Sequence, residues 1–258
     1  MMKYSAGLLL FGILGLLACS PFRNTGGGGR DRRFLLETLR LVDASRNRIV
    51  PVAIWKPAGC GRTPDNGMIV LSHGYGQNRP DSYLSYTYLT CFLAERGYLV
   101  VSVQHELPAD SLIPQTGIPA IVRRPFWERG ADNIFFVIKE MKNRFPDRSF
   151  EHICLIGHSN GGDMTALFPQ KYPGIVDKII TLDNRRMPLP RTAHPKVYTL
   201  RSSDQTADEG VLPSADDCRR FGISIVQLNA TPHNNMDDSG NSRQKKAIKR
   251  AVFSFLNN

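Results

Sequence analysis

Short, mostly apolar runs punctuate this chain. Residues 68–72, 98–103, 153–156, 179–182, 197–200 and 223–228 are each four to six residues long. Runs of that length are too short for core helices. They lack the polar alternation of a half-exposed strand, so they read as strands buried on both faces, as in a parallel sheet. Two further extended segments, 34–41 and 49–55, come first and are closed by Lys56-Pro57; they predict an antiparallel pair. Between the runs the period lengthens. Residues 82–96, stopped by Gly97, and 127–143, with Ile134, Phe135, Ile138 and Met141 on one face, read as helices, as do 161–171 and 243–256. Strands alternating with helices predict an α/β fold: a mostly parallel sheet of about eight strands flanked by helices, in one domain over 34–258.

The connections refine that picture. Only about a dozen residues separate the run ending at Leu182 from the one starting near Lys196, and they include Pro188, Pro190 and Pro195. That leaves no room for a large cap domain. The longest irregular stretch, 104–126, is the segment expected to wall a substrate pocket.

The first residues follow a different pattern. Lys3 precedes an apolar run over 6–18 that is too short to span a bilayer and ends in Leu16-Leu17-Ala18-Cys19-Ser20. This resembles the lipobox of bacterial lipoproteins. The resemblance implies a signal peptide over 1–18, cut before Cys19, and a lipid on that cysteine. A plain cleavable signal peptide is the alternative, and both lead out of the cytoplasm. Residues 19–33, with glycine at 26–29, read as a flexible tether. The expected location is the bacterial cell envelope, lipid-anchored and facing the periplasm or cell surface, or else secreted. Cys60, Cys91, Cys154 and Cys218 remain, and four cysteines allow three pairings; Cys154, inside an apolar run, reads as a small buried hydrophobe. The net charge of +10 is dispersed. Its densest group, Arg243, Lys245, Lys246, Lys249 and Arg250, falls on the last helix and reads as a solvated face. No nucleic-acid motif accompanies it, and no Cys/His spacing calls for a metal.

The chemistry is carried by Gly157-His158-Ser159-Asn160-Gly161, which follows an apolar strand and opens a helix. A strand–turn–helix with this G-x-S-x-G is a nucleophile elbow, and the turn is so sharp that its flanks must be glycine. His73-Gly74-Tyr75-Gly76 follows an earlier strand. An acyl-transfer intermediate needs two N–H donors, and the expected pair is the amides of Asn160 and Tyr75. His233, past the run 223–228, is the only histidine in the order serine, acid, histidine. His73, His105, His152, His158 and His194 compete less well by position. Asp204, just beyond the run 197–200, ranks first as the acid, Asp208 second and Asp183 third. Arg185 and Arg186 could meet an anionic substrate, though solvated arginines are the commoner outcome.

From about Leu41 onward these residues resemble an α/β hydrolase. The opening 43–52 with Trp55-Lys56-Pro57 is similar to the dienelactone hydrolase-like and platelet-activating-factor acetylhydrolase-like branch. The resemblance implies a serine esterase without metal or cofactor, acting on a small-molecule ester through Ser159, His233 and Asp204. The elbow serine stands where true dienelactone hydrolases carry cysteine. An acyltransferase or peptidase with the same triad, and a non-catalytic cell-surface binding lipoprotein, are the alternatives. The acyl and alcohol parts of the substrate and the oligomeric state are not encoded in these motifs.

Overall fold

The computed structural model describes residues 34–58 and 65–258. The expected leader, tether, Cys19 and Cys60 lie outside them. Strands β1 (Phe34–Asp43) and β2 (Arg48–Pro57) form the antiparallel pair. The turn between them is held by Asp43, whose carboxylate accepts from the Ser45 amide. Asn47 takes the left-handed conformation there, which its short side chain tolerates. β3 (Met68–Ser72), helix α1 (Thr87–Ala94) and β4 (Leu99–Val103) follow. Next come the short α2 (Pro119–Val122), the long α3 (Arg124–Arg144), β5 (Ile153–His158) and α4 (Asn160–Lys171). β6 (Lys178–Leu182), β7 (Lys196–Arg201), α5 (Ala215–Phe221), β8 (Ser224–Gln227) and α6 (Ser242–Leu256) complete the chain.

The eight strands lie in the order β1-β2-β4-β3-β5-β6-β7-β8. β2 runs antiparallel to β1 and β4, and every other pairing is parallel. Five of the apolar runs are the central strands, and every residue of β3, β4 and β5 is buried; the sixth, 223–228, is instead the edge strand β8, whose residues alternate between half-buried and exposed. One face of the sheet packs on Trp127, Ala131, Ile134 and Ile138 of α3 and on Met164, Leu167 and Phe168 of α4. The other packs on Leu89 and Leu93 of α1 and on Ile248, Val252 and Phe255 of α6. Each such buried side chain contributes about 1.5–3 kcal/mol.

Three expectations need correction. The stretch 82–96 is a 3-10 turn over Ser82–Leu84 followed by the shorter α1, because Tyr86 leaves helical geometry before Thr87. The segment 104–126 is not wholly irregular, since α2 and the start of α3 fall within it. α5 was not foreseen. Leu182 and Lys196 are joined without a cap, and Met187 and Leu189 of that connection are buried.

Candidate active site

Ser159 sits between β5 and α4 at φ 51°, ψ −118°, a conformation rare for any residue with a side chain. The flanking glycines are required by contact. A Cβ on Gly157 would lie 2.2 Å from the Gly161 carbonyl oxygen, and one on Gly161 would lie 2.4 Å from those of Ser72 and His73. The helix start is thereby pressed against the end of β3, and the serine is aimed outward from the carboxyl edge of the sheet.

Two side chains complete a hydrogen-bonded line. The Ser159 hydroxyl stands 2.9 Å from His233 Nε2, and His233 Nδ1 stands 2.5 Å from Asp183 Oδ2. The carboxylate can only accept, so Nδ1 carries the proton and Nε2 is left to accept from Ser159. Asp183 is fully buried one residue past β6, at φ 58°. Its other oxygen accepts from the Ser202 amide at 3.0 Å and lies 2.9 Å from the buried Arg201 guanidinium. Burial opposes ionisation of Asp183. The His233 hydrogen bond, the Arg201 charge and the Ser202 amide outweigh it and hold the carboxyl below the usual range.

Asp204 and Asp208, ranked above Asp183 from sequence, stand elsewhere. Asp204 is exposed and accepts from the backbone amide of His233 at 2.7 Å, so it caps the 3-10 turn that carries the imidazole. Asp208 pairs with Arg186 Nη1 at 2.9 Å. The physical reason is reach. Asp183 leaves its strand directly beneath the imidazole, whereas Asp204 lies three residues beyond β7 and on the backbone side of His233. Arg201, buried against Asp183, is a further site residue that position along the sequence did not single out.

A second chain of hydrogen bonds runs behind the serine. The Gly74 amide donates to Tyr86 Oη at 3.0 Å, Tyr86 Oη stands 2.7 Å from His158 Nδ1, and His158 Nε2 stands 3.1 Å from the His233 carbonyl. That carbonyl fixes the proton on Nε2, so His158 is neutral and accepts from the tyrosine hydroxyl. The elbow histidine thus braces the backbone of His233 against the loop that follows β3. In that loop the Tyr75 amide has no acceptor among the described residues, and Asn160, first in α4, has none one turn back. Tyr75 also accepts from the Ile113 amide through its hydroxyl at 3.1 Å, which fastens the 104–126 segment beside the site. Arg185 bonds Gln205 and the Thr206 carbonyl. His152 and His194 are exposed and belong to no part of this arrangement. Among the described residues Cys91, Cys154 and Cys218 form no disulfide, and Cys154 is buried as expected. Among the described residues no three His, Cys, Asp or Glu side chains gather as a metal-ligand set.

Burial makes the stability of this region depend on pH. It lowers His158 to about 3 and His73 to about 4, and drives His105 well below its ordinary value. It raises Glu106 to about 7 and Asp163 to about 6. A lowered histidine contributes stability that is complete above about pH 6.5 and is lost as pH falls. A raised carboxyl does the reverse, its contribution growing as pH falls through its folded value. From pH 7 to 5 the two trends oppose, at about 1.4 kcal/mol per group and pH unit. Below about pH 4.5 the carboxyl gain is spent while the histidines still resist protons. Three histidines act against two carboxyls, so urea unfolding is expected to give a shallow decline in stability from pH 6.5 to 5, about 2 kcal/mol, and a steeper fall below pH 4.5. A stability maximum at pH 4 would contradict these burial assignments.

No family model and no curated protein matches the chain. Solved structures do. A fungal esterase from Rhizomucor miehei superposes with a TM-score of 0.61 at 12% identity, over 87% of this chain and 83% of its own. A dienelactone hydrolase-like promiscuous phosphotriesterase from metagenomic libraries gives 0.59 at 16%, over 86% and 98%. A dienelactone hydrolase from Anabaena variabilis gives 0.55 at 13%, over 85% and 95%. At these identities the likeness is one of fold, and the fold is that of the α/β hydrolases.

Proposed function

We propose that this α/β-hydrolase domain is a serine hydrolase that cleaves carboxylic esters. The observation that carries the reading is the line Ser159–His233–Asp183, with contacts of 2.9 and 2.5 Å, at the carboxyl edge of the sheet. Ser159 Oγ attacks the acyl carbon while its proton passes to His233 Nε2. The buried Asp183 carboxylate holds the imidazole tautomer and stabilises the imidazolium that forms. Negative charge that collects on the former carbonyl oxygen meets the amides of Tyr75 and Asn160. Collapse breaks the bond to the alcohol, which leaves with the proton from Nε2. Water then gives a proton to the same nitrogen, attacks the acyl-serine and releases the acid, and Ser159 recovers its proton. The names carried by the structural neighbours, esterases and hydrolases, support an ester as substrate.

A panel of p-nitrophenyl esters, the matching anilides and an added alcohol acceptor tests the reaction class. Hydrolysis of esters well above anilides, with water preferred over the alcohol, is expected. Preferential transfer to the alcohol or cleavage of the anilides would replace the reading with acyltransferase or peptidase.

Anchoring through Cys19 is part of the same proposal and rests on Leu16-Leu17-Ala18-Cys19. Expressed in a bacterium, the wild type is expected in the membrane fraction with diacylglyceryl mass on Cys19, and Cys19→Ala is not. Recovery of both as soluble protein without lipid would refute the anchor.

A further inference from the structure

We propose that Glu106 is a positioning residue for the oxyanion hole and acts as a neutral carboxylic acid, tying the helix that starts after Ser159 to the loop that follows β3. The role rests on the serine-hydrolase reading above. Glu106 is 1% exposed and follows β4. Its Oε1 accepts from Asn160 Nδ2 at 3.0 Å, while Asn160 Oδ1 accepts from Trp127 Nε1 at 2.9 Å. Indole can only donate, so the orientation of the Asn160 amide is fixed and Oε1 must be an acceptor.

The other oxygen, Oε2, is buried without a hydrogen-bond partner and faces His73 Nε2 at 3.7 Å. His73 Nδ1 lies 2.6 Å from the Gly74 carbonyl and must donate to it. Nε2 of the neutral ring is therefore an acceptor, and it already takes the His105 amide at 3.2 Å. A carboxylate oxygen there would be a buried charge with no donor, set against a lone pair already filled by the His105 amide; a protonated carboxyl carries no such charge and meets His73 by packing at 3.7 Å. Protonated Glu106 then spans Asn160 on one side and His73-Gly74-Tyr75 on the other, the two segments that supply the proposed oxyanion donors.

The charged and titratable neighbours are consistent with a proton there. His105 is neutral, and neither of its ring nitrogens has a hydrogen-bond partner. Arg48 and Arg129 approach from β2 and α3, but both lie against Asp110, at 2.6 and 3.5 Å. Burial first, then Asp110, raises the Glu106 carboxyl against the two arginines, to about 7. Above that pH a buried anion stands behind Asn160, where it repels the oxyanion.

The test is the pH dependence of kcat and KM for a simple ester, from pH 5.5 to 9.5, in the full-length wild type and Glu106→Gln. The glutamine keeps an acceptor for Asn160 and never ionises. In the wild type kcat is expected to fall about 10- to 100-fold above neutral pH with KM little changed. The variant is expected to show no alkaline fall in kcat and to exceed the wild type at pH 9. A wild type without the alkaline fall, or a variant with the same fall, overturns the role. Should Glu106→Gln not fold, wild-type protein labelled with 13C at the glutamate carboxyls decides. One resonance titrating near pH 7 is expected, and none above about pH 5.5 overturns the proposal. Absence of any Ser159-dependent turnover refutes instead the hydrolase reading and this role with it.

Discussion

Asp183→Asn is expected to lower kcat by about 10⁴-fold, while Asp204→Asn stays within about tenfold of the wild type. The difference follows from which atom of His233 each aspartate touches. Asp183 accepts from ring Nδ1 and so fixes the tautomer that leaves Nε2 free to accept from Ser159. An amide at 183 offers its NH₂ to Nδ1, drives the proton to Nε2 and removes the base. Asp204 touches only the backbone amide. Asparagine at 204 keeps an oxygen that accepts from the same amide, so local stability changes little. Asp183→Asn also strips the buried Arg201 of its countercharge, which costs about 3–5 kcal/mol, so kcat must be referred to folded protein. If Asp204→Asn shows the large loss and Asp183→Asn the small one, the two roles exchange.

Ser159→Ala is expected to reduce turnover by about 10⁶-fold, with the melting temperature close to that of the wild type. The hydroxyl makes a single hydrogen bond, to His233 Nε2, so little packing depends on it. Alanine at φ 51° carries the same backbone strain as serine and relieves none. A folded variant that retained turnover within tenfold would transfer the reaction to another nucleophile.

The sequence disclosed the sheet because β3 and β5 are buried on both faces, which leaves continuous apolar runs. It disclosed Ser159 and its glycines because the elbow admits no side chain at either flank. α5 was hidden for the opposite reason. None of its seven residues is fully buried and its apolar stripe is only Cys218 and Phe221; its clearest trace is the capping box of Ser214 and Asp217. Asp183 ranks third from sequence because position relative to β7 does not reveal reach to the imidazole. A residue that follows a strand immediately, and is of a type that tolerates positive φ, was the available signal. The buried partners Arg201 and Glu106 were not legible, since each takes its meaning from side chains distant in the chain: Arg201 from Asp183, and Glu106 from Asn160 and His73.

The most direct measurement is the intact mass and peptide map of the protein after treatment with a fluorophosphonate, with parallel loss of esterase activity. One phosphonyl group per chain, located on Ser159, with inactivation in step with labelling and no adduct on His233→Ala, is the expected result. A wild type that hydrolyses esters yet stays unlabelled at Ser159, or labels at another residue in step with inactivation, would contradict the mechanism.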